Sequence, residues 1–170
     1  MNCSHFRTIF LLLVCVFAYN LESAAQKRVV PKGWKQVKTC DFTFLVPKKL
    51  KDAKPKSLDS CIAGFRSKEV SIYIDVGNYN GETKQDDTML DFKEEFITVD
   101  GKKAQIVTYL ENSDFAKKNP NRKFVTVVYI KTSEPQPNEV GLPFSLWMKI
   151  RSESSQQQET ARQIAQSILF

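Results

Sequence analysis

Histidine is almost absent from this chain. Of 170 residues only His5 carries an imidazole, and it sits in a segment that reads as a removable leader. Ser-His-Asp and Cys-His catalysis need an imidazole to carry protons, and zinc sites built on Cys and His need it as a ligand. Glycine is also scarce, with 6 in the chain. Neither GxxxxGK[ST] nor GxGxxG occurs, so a phosphate cradle at a helix N-terminus has no support in the pattern. There is no CxxC, and after residue 25 no apolar run is long enough to cross a bilayer.

The leader is the clearest positive feature. Arg7 gives a short basic start, and Ile9 to Ala18 is nearly unbroken apolar sequence. Ser23 and Ala25 then occupy the −3 and −1 positions of a small-residue cleavage site, so cleavage after Ala25 is expected. A membrane anchor is the alternative, but the apolar stretch is well under the roughly 20 residues that span a bilayer. Lipidation at Cys15 would want a small residue before the cysteine, where Val14 stands. Removing 25 of 170 residues leaves 145, enough for one domain with a real core.

Cys40 and Cys61 survive that cleavage. In an oxidising compartment, two cysteines of a small exported domain usually pair. A redox or nucleophilic cysteine is the rival reading, and no histidine is there to activate one. The formal net charge is +6, and losing Arg7 and Glu22 leaves it unchanged. Lys48, Lys49, Lys51, Lys54 and Lys56 crowd the loop that a Cys40–Cys61 bond would close. Such a loop could meet a polyanion, an acidic surface or an acidic partner. It could equally be a solvated loop that aids solubility. Lysine without interleaved arginine or aromatics does not point to nucleic acid.

Gln26 to Lys32 is a polar lead-in. Phe42-Thr43-Phe44-Leu45-Val46 reads as a strand stopped by Pro47, and the lysine-rich stretch to Ser57 as a loop or short irregular helix. Ile62–Arg66 and Val70–Val76 read as strands paired around Ser67-Lys68. Asn78 to Gly81 marks a loop. Asp86 and Asp87 ahead of Met89, Leu90, Lys93 and Phe96 suggest a helix with an acidic first turn. Asp100-Gly101 suits a two-residue hairpin turn joining Phe96–Val99 to Lys103–Tyr109. Phe124–Ile130 is apolar on both faces, as a central strand would be. Glu134 to Asn138 is a loop, and Phe144–Ile150 alternates as a strand. Ala161, Ile164, Ala165 and Ile168 keep helical spacing, with Ser154/Gln157 or Ser155/Gln158 as a capping-box start. The expected fold is α+β, an antiparallel sheet of six to eight strands with helices packed on it.

Two residue sets could carry function. Asp87, Asp91 and Glu94 would share a face of the expected middle helix, where carboxylates can act as acid and base or hold a hard cation. Acidic residues early in a helix also answer the macrodipole alone. Trp147 should lie opposite Leu146 and Met148, with Tyr73 and Tyr129 pointing the same way. That set is either an aromatic surface for a sugar, peptide or lipid head, or a second core layer.

Trp34, the Phe42-x-Phe44-x-x-Pro47 strand, the Asp100-Gly101-Lys102-x-Ala104 turn and the closing Ala161–Ile168 helix together resemble the PsbP-like superfamily. That group includes photosystem extrinsic proteins, a nuclear Ran-binding factor and periplasmic DcrB-type lipoproteins. The resemblance spans Trp34 to Phe170 and implies an α/β/α sandwich that serves as a binding or assembly-support module without catalysis. An export signal does not fit a nuclear partner, and the missing lipobox departs from the lipoproteins. The cysteine pair has no counterpart that can be mapped, so no functional residue carries over. The expectation is a non-catalytic, cofactor-free module of the periplasm, cell envelope or exterior, binding an unknown protein or envelope component and not nucleic acid. The alternatives are a carboxylate- or metal-dependent hydrolase, or a polyanion-binding or inhibitor protein.

Overall fold

The computed structural model describes residues 29–55, 60–77, 80–133 and 144–170. The expected leader, the first three residues of the lead-in, Lys56 and the Glu134–Asn138 loop lie outside them. The chain divides into two units, Met1–Val30 and Pro31–Phe170, and the second is the fold described here. It is a sheet-dominated α+β unit. None of its helices, among the described residues, is long and apolar enough to cross a membrane.

Among the described residues nine strands form two antiparallel sheets. β1 (Trp34–Thr39) and β2 (Phe42–Pro47) make a hairpin, and the remaining seven make one sheet in the order β3-β4-β5-β9-β8-β7-β6. These are β3 (Lys51–Asp52), β4 (Cys61–Arg66), β5 (Val70–Gly77), β6 (Met89–Val99), β7 (Lys102–Glu111), β8 (Phe124–Lys131) and β9 (Ser145–Ser152). Two short helices, α1 (Asp114–Lys118) and α2 (Gln156–Gln166), complete it, with one 3-10 turn over Pro120–Arg122.

The expected turns form for the reasons the residues suggest. Asp100 and Gly101 both take positive φ, 47° and 75°, and Val99 pairs with Lys102 across them. Between β4 and β5 the Ser67 hydroxyl accepts from the amides of Glu69 and Val70, a local side-chain turn. β8 is buried on both faces, as its apolar run requires.

The expected helix over Asp86 to Phe96 is instead β6. Asp91 and Phe92 stand together opposite Tyr109, so the register slips by one between Leu90 and Lys93. Asp91 takes a φ of 53° at this bulge. One inserted residue breaks the two-residue alternation and leaves apolar side chains at intervals that imitate a helix. The hairpin set by Asp100-Gly101, carrying the β-formers Phe96 to Val99, decides the outcome over local propensity.

The first face of the large sheet is closed by α2 and the β1–β2 hairpin. Ala161, Ile164, Ala165 and Ile168 are all buried against it, as the helical stripe predicts. Gln157 supplies its half of the capping box, its side-chain oxygen accepting from the amides of Glu153 and Ser154. Phe42, Phe44 and Val46 of β2 enter the same core, Phe44 meeting Phe65 edge-on at 5.7 Å. Thr43 and Leu169 exchange backbone hydrogen bonds of 2.8 Å, tying the chain end to the hairpin.

β1 was not expected. It reverses into β2 through Cys40 and Asp41, both at positive φ (49° and 64°), without the Asn-Gly or Asp-Gly that usually announces such a turn. The Cys40–Cys61 disulfide pins this turn to the start of β4. Closing a loop of sequence separation 21 restricts the unfolded chain by about 3 kcal/mol in the entropic treatment. The variant Cys40→Ser/Cys61→Ser should lose about that much stability in denaturant unfolding. A change under about 0.5 kcal/mol would show that the bond constrains nothing that packing does not already hold.

Candidate functional site

Trp147, Tyr73 and Tyr129 do share the second face of the large sheet. Trp147 pairs in register with Asp75 on one side and Tyr129 on the other, and Tyr73 meets its ring edge-on at 6.3 Å. Beside them on the same face Val107, Tyr109, Val125 and Val127 form a second buried cluster, against which Trp147, Met89 and Phe92 pack.

Residues 80–88 cross this face. The Ser145 hydroxyl donates to the Asn80 carbonyl. Buried Gln105 accepts from the Thr83 amide at 2.7 Å and donates to its carbonyl at 3.0 Å. The Asn112 amide donates to the Thr88 carbonyl. The aromatic residues are thus brought together at the side of this cluster, with Tyr73 still partly exposed. Tyr129 also opens onto a recess of about 270 Å³ shared with Phe96 and Lys103.

A charged cluster sits at the end of the same layer. Glu111 accepts from Lys149 Nζ at 3.1 Å and, in a fork, from Arg151 Nε and Nη2 at 2.9 and 3.0 Å. Only 8% of the Glu111 side chain is exposed. Burial pushes the Glu111 carboxyl up, but hydrogen bonds from Arg151 and Lys149 outweigh it and leave the pKa lowered. Lys149 is also lowered, by burial first and by Arg151 second. The two shifts agree once charges are counted, because one carboxylate serves two cations. Tyr109 beside them is pushed up to about 12 by burial and the Glu111 charge. Phe115 of α1 lies under the Arg151 guanidinium at 4.4 Å.

The lysine-rich loop does not act as one patch. Lys49 and Lys51 line an open pocket of about 600 Å³, and Arg66, Lys68 and Arg122 join them there. Lys54 borders a different depression with Lys35 and Lys38. Lys48 is exposed in the turn after β2, and Lys56 is outside the described residues.

The two pocket carboxylates are Asp52 and Glu69. Glu69 is held by Lys49 and by Gln157 Nε2, while Asp52 caps the Lys54 amide. Arg66, Lys68 and Arg122 had no signature in the sequence. The first two lie at the β4–β5 turn, and Arg122 arrives through the 3-10 turn, where Nη2 donates to the Ser67 carbonyl at 3.4 Å. Only the topology joins these segments.

Asp87, Asp91 and Glu94 lose their shared helical face with the helix itself. Asp91 is at the bulge, and Glu94 accepts from Gln105 Nε2. Among the described residues no group of three or more His, Cys, Asp or Glu side chains is placed to hold a metal ion. No protein-family model and no curated protein matches this chain.

Replacing Glu111 with alanine strands two largely buried cations, and the expected loss is about 3 kcal/mol at neutral pH. Because the Glu111 pKa is depressed, its stabilisation is complete above the ordinary value of 4.5 and goes as pH falls through the lowered value. Urea midpoints of wild type and Glu111→Ala should therefore converge on acidification. A gap that does not narrow would rule out the ion cluster as its source.

Proposed function

We propose that this chain is a non-catalytic exported module of the periplasm, cell envelope or exterior that acts by binding through its surface. The single observation that supports this most is the packed cluster on the second face of the sheet. Val107, Tyr109, Val125 and Val127 are packed into a buried cluster on that face, and residues 80–88 cross it, tied to Ser145, Gln105 and Asn112. Contact with a protein or envelope component then falls to loops and rims. The Cys40–Cys61 bond is in keeping with an oxidising compartment. The cleavable leader and the PsbP-like sandwich, with its binding or assembly-support role, belong to the same reading.

Two measurements test it. Fractionated cells should yield the protein outside the cytoplasm, beginning at Gln26, with both cysteines inert to alkylation until reduced. A cytosolic full-length chain with free thiols would overturn the proposal. Trp147→Ala should cost about 2 kcal/mol of stability through lost packing. A variant that stays as stable as wild type but no longer associates with envelope material would instead make the aromatic face the binding surface.

A further inference from the structure

The geometry points to the pocket at the β3–β4 rim as a binding site for a phosphate-bearing group. Five cations line it, Lys49, Lys51, Arg66, Lys68 and Arg122, against two carboxylates. Glu69 is already committed to Lys49 and Gln157. Among the described residues, Lys51, Arg66 and Lys68 have no carboxylate partner.

Two features mark this as more than a solvated surface. Lys51 and Arg66 stand directly opposite one another across β3 and β4, so their side chains share one face of the sheet. Like charges in that position destabilise a strand pair, and an anion between them removes the repulsion. Arg122 is delivered to the same place by a rigid Pro120–Arg122 turn and held by its bond to the Ser67 carbonyl.

The pocket therefore combines two guanidinium forks with ammonium groups. Guanidinium matches the paired oxygens of a phosphate, and ammonium adds charge without fixed geometry. An excess of cations suits a multiply charged phosphate better than a single carboxylate. A volume of about 600 Å³ admits a phosphorylated headgroup or small phosphate ester, and its open form leaves the rest of the ligand outside.

This assignment rests on the surface-binding reading and names the chemistry of one such contact. Pyrophosphate titrated into the exported protein by calorimetry at low salt should bind with a sub-millimolar Kd. Arg66→Glu/Arg122→Glu should weaken it by at least about tenfold, and Lys35→Glu/Lys38→Glu, the same change of net charge elsewhere, by less than about twofold. Equal loss in both variants, or no binding to wild type, overturns the site. Should the pocket variant fail to fold, amide shifts in the native protein decide: movement at Ser67–Val70 and Arg122 supports the site, and movement elsewhere refutes it.

Sedimentation with phosphatidylcholine vesicles, with and without phosphatidylglycerol, separates the sources. Phosphatidylglycerol-dependent binding that pyrophosphate displaces identifies a lipid headgroup. Pyrophosphate binding without sedimentation identifies a soluble ester, and vesicle binding that pyrophosphate leaves untouched overturns the pocket. Failure here, with export and fold intact, removes the phosphate site and spares the module. A cytosolic full-length chain removes the module whatever the titration gives.

Discussion

A seven-stranded sheet has two apolar faces to keep dry, and the described residues hold one helix of useful length with which to do it. Much of the remaining structure answers that shortage. On the first face α2 covers part of the area, and the β1–β2 hairpin supplies Phe42, Phe44 and Val46 for the rest. A two-stranded hairpin is marginal by itself. It holds here because the disulfide fixes its turn, Leu169 extends it, and its aromatic side chains are buried. On the second face a strip of irregular chain does what a helix would do elsewhere. Its backbone groups need partners, and Gln105 provides two to Thr83 from within the sheet.

The ion cluster at Glu111 follows from the same layering. Covering the second face takes Glu111 and much of Lys149 and Arg151 away from water, and desolvation is the largest influence on both Glu111 and Lys149. Such burial is tolerable only with near-complete hydrogen bonding. The forked Arg151 contact and the Lys149 contact provide it, while the Phe115 ring stacks against the guanidinium. The result is a cross-link between β7 and β9, strands that are not neighbours in the sheet. The arrangement favours one register and one layer packing, because any slip would strand a buried charge.

The strands and the closing helix were legible because their side chains alternate, or repeat, relative to a single covered face. The Asp100-Gly101 turn was legible because its geometry restricts residue choice. Of what was not, three features matter most. The β1 hairpin turns on Cys40-Asp41, both at positive φ, a pair without the Asn-Gly or Asp-Gly that marks such a turn in sequence. β6 hid behind a bulge that turned a strand's spacing into a helix's. The basic pocket could be read only halfway. Lys49 and Lys51 stood out as part of a charge run, but Arg66 and Arg122 meet them only after the sheet has formed. Composition located the charge, and topology selected which charges meet.

That selection matters more than the net value of +6. At physiological salt a surface charge is felt over roughly 8 Å, so the other lysines contribute little to any one contact. What counts is the local imbalance where Lys51 and Arg66 face each other with no counter-charge of their own. A chain under selection for stability alone could relieve that opposition with one carboxylate at either position, as it has done with Glu111 between Lys149 and Arg151. The same sheet thus treats paired cations in two ways. Inside, it closes them on a buried glutamate, and at the rim it leaves them open to an anion from outside.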